Sequence, residues 1–505
     1  MTPQRIDAEA PIIVIGGGPA GLTAAYEVLR HGGRPIVLEK SDHVGGIART
    51  EQHNGCRFDI GGHRFFTKVA EVQRLWNEVL PDDLLQVSRL SRIFYGGRFY
   101  QYPLSLLNTF RNLGAVESVR IALSYLKVKL RIRGGAKLGL KPLPEDTLEQ
   151  WVTNRFGLRL YRTFFKTYTE KVWGIPCSQI RADWAAQRIK GMSLKAAVLN
   201  ALFKGGDKVK SLITKFDYPR LGPGQMWERF AQAIDARGGE VRLKADAIAV
   251  RHCGGRATSI VVREGDCTVE LPASHVITSM PLPELIRKLD PPAPPHVRAA
   301  AEKLSFRDFL LVGLVVREPD LFPDNWIYVH SPDVKVGRIQ NFGNWSQAMV
   351  PDPSKTTSLG MEYFCTRGDA LWEMSDDDLI KLAKQELTAL GLAHGAEATD
   401  GCVIRQEKAY PVYDVEYAEH VETIRTYLAT FANLQTVGRN GMHRYNNQDH
   451  SMLTALLAVR NIYGERHDLW TVNVERSYHE EFKVKPTGTN EPRTAPAERE
   501  VAPAS

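Results

Sequence analysis

Gly16-Gly-Gly18-Pro-Ala-Gly21 constrains this chain more than any other stretch, because of what stands on either side of it. Pro11-Ile-Ile-Val-Ile15 before it is a short, β-branched apolar run, which reads as a buried strand. Ala20 to Leu29 reads as a helix, and Pro35-Ile-Val-Leu38 as a second, parallel strand. In such a βαβ unit Gly16 permits the tight turn, and Gly18 lets the backbone approach a pyrophosphate. Gly21 lets helix and strand pack closely, and the helix N-terminus faces the phosphates. Glu39 closes the second strand eighteen residues after Gly21, where its carboxylate can accept from ribose hydroxyls. A glycine turn without a nucleotide is the bland alternative. The two strands and the acid together weigh against it.

The chain of 505 residues divides into several parts. Residues 1–105 form the first part of a dinucleotide domain and 106–217 a helical insertion. The dinucleotide domain resumes over 218–300 through strand-like runs at 240–243, 248–250, 259–262 and 275–278. Runs at 309–316, 326–330 and 358–364 predict an antiparallel sheet within a substrate domain over 301–430. Residues 431–484 return to the cofactor, with a last helix near 449–463. The tail over 485–505, rich in Pro, Ala and Glu, reads as disordered. Within the insertion, 148–165 and 182–203 read as helices, and Val116, Val119, Leu123, Leu126 and Leu130 mark an amphipathic one.

Charge is unevenly spread along the chain. Residues 111–142 hold eight Lys/Arg against Glu117 alone, and 191–216 hold five Lys against Asp207, leaving the remainder at −4 out of a total of +7. These basic helices suit either a solvated face or peripheral contact with an anionic membrane. Lipid contact requires Val116, Leu123 and Leu130 to face outward; packing against neighbouring helices accounts for them equally well. No apolar run reaches eighteen residues, and the N-terminus lacks the layout of a signal peptide. The six cysteines (Cys56, Cys177, Cys253, Cys267, Cys365, Cys402) have no metal-like spacing and read as reduced thiols. The expectation is a cytoplasmic protein, at most peripheral to the inner membrane face, with no metal and no nucleic-acid partner.

Val44-Gly-Gly46-Ile-Ala-Arg49-Thr50, just after Glu39, resembles the extension seen in the flavoprotein superfamily of amine oxidases, protoporphyrinogen oxidases and phytoene desaturases. Gly438-Arg439 resembles the strand that completes the FAD site there. The resemblance implies FAD on a Rossmann-type domain, with Arg49 reaching the phosphates. Phe58-Asp-Ile-Gly-Gly62-His63-Arg-Phe-Phe66 and Asn447-Gln448-Asp449-His-Ser451 are similar to the UDP-galactopyranose mutase family, in its eukaryotic branch. Lys171-Val-Trp173, Gln187-Arg188, Trp326-Ile-Tyr328, Arg338 and Tyr410-Pro411 follow that family's order, so the likeness runs from about residue 11 to 463 as motifs.

That likeness implies an α/β fold, a Rossmann-type FAD-binding domain with a helical insertion and an antiparallel β-sheet substrate domain. It also implies redox-neutral chemistry, in which reduced FAD uses N5 as the nucleophile on the anomeric carbon of an activated sugar, converting pyranose to furanose. Arg188 and Arg338 would hold the departing diphosphate, and His63 would lie by the flavin. Phe66, Tyr102, Tyr328, Tyr410 and Tyr445 fall to the substrate, Gln448 and Asp449 to the cofactor, and NAD(P)H is the candidate reductant. Trp173 and Trp227 read as core. Trp345 stands where the family has a tyrosine, and Ser105 where it has a uracil-contacting glutamine. The alternatives are an oxidoreductase of the same superfamily, a desaturase or oxidase acting on a lipid, isoprenoid or tetrapyrrole, and a non-catalytic flavin-bound scaffold.

Overall fold

A computed structural model of the protein describes residues 10–102, 104, 106–138, 144–182, 214–394 and 397–473. Arg188, Gln187, Ser105, the helix expected beyond Ala182 and the tail lie outside the described residues.

The first sheet has five parallel strands in the order Leu434–Thr436, His275–Thr278, Ile12–Ile15, Pro35–Leu38, Glu240–Arg242. Alternation along Ile12–Ile15 sends side chains to opposite faces. Ile12 and Val14 join the cluster that includes Leu22 of helix Pro19–Arg30 and Leu456 of helix Gln448–Ile462. Ile13 and Ile15 join another cluster on the opposite side. With both faces covered, the strand has no polar position to spare, which is why it reads as a continuous apolar run.

The strands expected at 248–250 and 259–262 do not enter this sheet. They belong to Ala245–Cys253 and Arg256–Glu264, which pair with Cys267–Pro272 and Leu289–Asp290 in a separate four-stranded sheet. Adjacent hairpin strands pair locally, which a reading by hydrophobic runs alone does not separate from the parallel sheet.

The third sheet runs Ala398–Pro411, Phe306–Val316, Thr357–Cys365, Arg338–Asn341, Trp326–Val329, Ser91–Tyr95, Arg98–Gln101. It is antiparallel except where Trp326–Val329 meets Ser91–Tyr95 in parallel. The last two strands come from the segment grouped above with the first cofactor residues, so the substrate sheet borrows chain from before the insertion. One face, with Leu310, Val312, Ile339 and Met361, is packed in the same cluster as Leu379 and Ala383 of helix Asp376–Ala389.

The insertion holds helices Leu106–Leu113, Ala115–Leu138, Leu148–Phe156, Leu158–Tyr161 and Thr167–Trp173. Thr147 and Gln150 form a capping box that starts the third of these. Gly157, at φ +84°, interrupts the helix expected over 148–165. Lys215–Pro219 is a strand paired with Leu84–Ser88, so residues 215–217, grouped above with the helical insertion, are strand. The stripe Val116 to Leu130 is exposed instead of packed against other described helices. Among the described residues no helix is long and apolar enough to cross a membrane.

Candidate active site

A cavity of about 820 Å³ lies where the parallel sheet meets the seven-stranded one. Its cofactor end is built from backbone. Gly16 has φ +105°, and a Cβ there would sit 2.2 Å from Ser279 Oγ. A Cβ on Gly21 would come within 1.8 Å of the Gly16 carbonyl oxygen, so this residue sits behind the wall and seats the helix on the strand. Gly18 differs: a Cβ there meets nothing closer than 3.8 Å. It is also the N-cap of helix Pro19–Arg30, with no side chain capping the first turn. Free N–H groups, the positive end of the helix dipole and open space therefore coincide at Gly18, as a pyrophosphate requires.

Glu39 Oε2 accepts from the Gly17 N–H at 2.7 Å, and Oε1 accepts from Ser41 N and Oγ at 2.9 and 2.8 Å. One lone pair on Oε2 stays open for a ribose hydroxyl. Gly46, at φ +54°, lies against Gly18, where its missing side chain keeps the cradle clear. Arg49 lines the cavity, donates to Gln406 Oε1 at 2.6 Å and to Gly46 O at 3.0 Å, and so ties the glycine loop to the seven-stranded sheet. Gly62, Gly438 and Gln448 also line it. Gln448 opens helix Gln448–Ile462, which directs a second N-terminus toward the cavity. It accepts from Trp227 Nε1 at 3.1 Å and donates to the His63 carbonyl at 3.4 Å. A flavin dinucleotide fits this donor set: a bare glycine cradle, a ribose acceptor and two helix N-termini.

The other end is built by strand register. Ile93, Tyr328, Arg338 and Glu362 stand opposite one another across four neighbouring strands, so their side chains share one face. Gln340, two residues beyond Arg338, returns to that face. Arg338 Nε donates to Glu362 Oε2 at 2.5 Å, and Gln340 Nε2 donates to Glu362 Oε1 at 2.7 Å. Burial raises the Glu362 carboxyl above its usual range while Arg338 pulls it back. Burial also weighs against charge on Arg338, and Glu362 holds that charge on. Arg439 sits over the Tyr445 ring at 4.6 Å, with Tyr445 stacked on Tyr410 at 5.6 Å. Tyr102 and Tyr328 pack at 5.0 Å. Phenols and guanidinium groups thus dominate this wall.

His63 lines the cavity with Nε2 donating to the Ile60 carbonyl at 2.8 Å. Desolvation, then the Arg439 charge, pushes its pKa down to about 4, so the ring is neutral at pH 7. Besides Gly21, two expected residues lie elsewhere: Phe66 and Asp449 are not on the cavity wall. Phe66 belongs to a stretch without regular strand geometry, so alternation could not aim it. Asp449 is buried behind the second helix N-terminus, its carboxyl pushed up to about 7 by desolvation.

Sequence reasoning missed Tyr168, His330, Gln340 and Glu362. Tyr168 stacks on His330 at 4.7 Å, and both line the cavity. Burial, then Lys171, pushes His330 down to about 3, and its Nδ1 has no hydrogen-bond partner among the described residues. Gln340 Oε1 is likewise buried without one. A signal existed for Glu362, an acid in the middle of the apolar run Thr357–Cys365 that is buried throughout. Trp173, expected in the core, is buried yet also lines the cavity beside Tyr410. Trp345 is buried with Nε1 donating to the Asn325 carbonyl at 2.9 Å, so its one polar atom is committed inside the fold.

Comparison with known proteins follows the same division. A family model described as flavin containing amine oxidoreductase matches residues 19–418. Coproporphyrinogen III oxidase of Mycobacterium leprae (strain TN) is 24% identical over 429 residues, covering 82% of this chain and 90% of that protein. The structure of reduced UDP-galactopyranose mutase superposes with a TM-score of 0.78 at 20% identity, covering 93% of this chain and 99% of that one. Putrescine oxidase bound to putrescine gives a TM-score of 0.61 at 17% identity, covering 90% and 99%. At these identities the structural likeness is one of fold.

Proposed function

We propose, from the premise that this chain belongs to the flavin-containing amine oxidoreductase family, that it isomerises the ring of a sugar carried on a diphosphate without net oxidation. The observation that carries the reading is Arg338, fixed by Glu362 on a cavity wall it shares with Tyr328 and Tyr410. A guanidinium aimed by a carboxylate, with phenol O–H groups beside it, recognises the oxygens of a diphosphate. A sugar diphosphate offers those acceptor oxygens; an isoprenoid hydrocarbon does not. The fold of the reduced UDP-galactopyranose mutase supports the same reading.

In this scheme the bond between the anomeric carbon and the diphosphate oxygen breaks and later re-forms. Between the two events the bond from that carbon to the ring oxygen breaks and one to another of the sugar's own hydroxyl oxygens forms, the proton of that hydroxyl passing to the former ring oxygen, so atoms and electrons balance over the cycle. A flavin bound in its reduced state supplies the electron pair the exchange needs. The chain's own residues bind and orient. Arg338, fixed by Glu362, presents its remaining N–H groups to the diphosphate. The hydroxyls of Tyr328, Tyr410 and Tyr445 donate to the same oxygens, and Arg188 is proposed as the second cation. Neutral His63 is held on the cavity wall by its bond to the Ile60 carbonyl, and the aromatic wall of Trp173 and Phe164 excludes water.

The alternative, oxidation of a tetrapyrrole, is favoured by the likeness to coproporphyrinogen III oxidase. Electron counting separates the two. Anaerobic enzyme, reduced once, is offered UDP-sugars and polyprenyl-diphosphate sugars, and ring isomers are measured. Many turnovers per reduction are expected, with the carrier identified by which substrates react. One acceptor reduced per product, with oxidised enzyme active, would establish the oxidoreductase instead.

A further inference from the structure

Helix Ala115–Leu138 packs on the body through a single face. Ile121 is 1% exposed and belongs to the aromatic cluster with Tyr100 and Phe164. Glu117 is tied to Arg159, Nη2 donating to Oε2 at 2.8 Å. The far face carries Val116, Val119, Leu123, Leu126 and Leu130, exposed by 69, 58, 60, 53 and 56%. Steps of three and four residues set these in one stripe, roughly 21 Å long at 1.5 Å per residue. Single exposed leucines are ordinary on a soluble surface. A continuous apolar stripe marks a surface that something covers.

Charge decides what covers it. The helix carries Arg120, Lys127, Lys129, Arg131, Arg133 and Lys137, and its one acid, Glu117, is already engaged by Arg159 and Arg120. In helical projection Arg120 and Lys127 border the stripe on one side and Lys129 on the other. A second copy laid along the stripe would set base against base with no acid to answer. Residues 183–213 hold six Lys/Arg against two acids, so that stretch of the chain offers no complementary charge either. An anionic lipid surface answers both features at once: acyl chains take the leucines and headgroups take the bases.

We propose that helix Ala115–Leu138 docks the protein on an anionic lipid surface, lying in its plane with the Val116–Leu130 stripe in the acyl boundary. The helix is one packed layer from the cavity: Ile121 shares its cluster with Phe164, which lines the cavity, and helix Leu106–Leu113 begins two residues after the cavity-lining Leu104. Docking therefore brings the substrate end of the cavity close to the membrane.

The test uses the full-length, flavin-loaded protein and does not depend on its activity. Co-sedimentation is measured with phosphatidylcholine vesicles and with vesicles doped with phosphatidylglycerol. Wild type should bind the doped vesicles and dissociate as salt is raised. The double variant Leu123→Asp/Leu126→Asp should lower partitioning by on the order of 100-fold, from the lost burial of two leucines. Lys127→Glu/Lys129→Glu should lower it by roughly fivefold or more per residue. Both variants should keep wild-type flavin absorbance, since their sites are exposed or only partly covered. Three results overturn the proposal: no binding by wild type, equal binding to undoped vesicles, or a leucine variant that binds as wild type does. A wild-type dimer in sedimentation velocity that the leucine variant turns into a monomer also overturns it, and assigns the stripe to a protein partner.

Discussion

Glu362→Gln isolates the energetics of the substrate wall. Glu362 has no exposed surface and Arg338 has a side chain 17% exposed, so the variant leaves a nearly buried guanidinium beside a neutral amide. Removing one partner of a buried ion pair costs about 3–5 kcal/mol. Glutamine keeps the volume and one acceptor oxygen, and Arg338 reaches the cavity, so the low end, about 3 kcal/mol, is expected. The companion Arg338→Met strands the carboxylate instead, but Glu362 can take up a proton because burial already raises its pKa. It should therefore cost less than Glu362→Gln. In the double variant Arg338→Met/Glu362→Gln neither charge is left alone, and most of the loss should return, giving a coupling energy of roughly 2–3 kcal/mol. Urea denaturation of the four proteins at saturating FAD measures the cycle. Additive losses, or a Glu362→Gln cost below roughly 0.5 kcal/mol, would falsify the pairing as an energetic unit.

Two further perturbations address the cofactor end and its support. Gly18→Asp should abolish flavin binding while the apoprotein still folds, because the new Cβ has room and only the carboxylate meets the pyrophosphate; normal flavin content by absorbance would refute the cradle. Asp59 is pushed up to about 7 by burial, with the Tyr218 and Thr50 hydroxyls opposing the shift. A raised folded pKa gives stability that is present below the unfolded value near 4 and lost as pH rises through about 7. Asp59→Asn should therefore gain on wild type between pH 4 and 8, by at most about 4 kcal/mol; a difference in thermal midpoint that does not change with pH would remove the assignment.

The cofactor end was legible because its requirements are local. Gly16, Gly18, Gly21 and Glu39 lie within one βαβ unit, and their spacing encodes the turn, the approach and the acceptor together. The substrate end is assembled from strands far apart in sequence, and the relevant variable is register. Tyr328, Arg338 and Glu362 meet only because three strands pair residue against residue; a slip of one position would turn all three to the opposite face, into the apolar cluster. Resemblance supplied Tyr328 and Arg338, but no local pattern could announce that an acid in the next strand stands opposite. The borrowed strands Ser91–Tyr95 and Arg98–Gln101 were missed for the same reason, since chain continuity with the cofactor segment says nothing about which sheet a hairpin extends.

Register also determines how charge is divided inside the cavity. Arg338 and Glu362 together carry no net charge, so this pair contributes direction more than attraction: two N–H groups are fixed on the carboxylate, and the remaining ones are aimed by that fixation. Arg439 is held differently. It donates to the carbonyls of Asn446 at 2.9 Å and Ala409 at 3.2 Å, lies over two tyrosine rings, and among the described residues pairs with no carboxylate. Its full positive charge therefore remains in the cavity, and it is felt at His63, whose protonation it disfavours. The N-terminus of helix Gln448–Ile462 adds the same sign nearby. An uncompensated cation that acts on His63, with a helix dipole nearby, favours whichever form of a bound cofactor carries more negative charge. An oriented but neutralised arginine on the same wall suits a ligand that must be held while it leaves and then be taken back. That difference between the two arginines comes from which guanidinium has a carboxylate opposite it in the sheet, and it would suit the exchange proposed above.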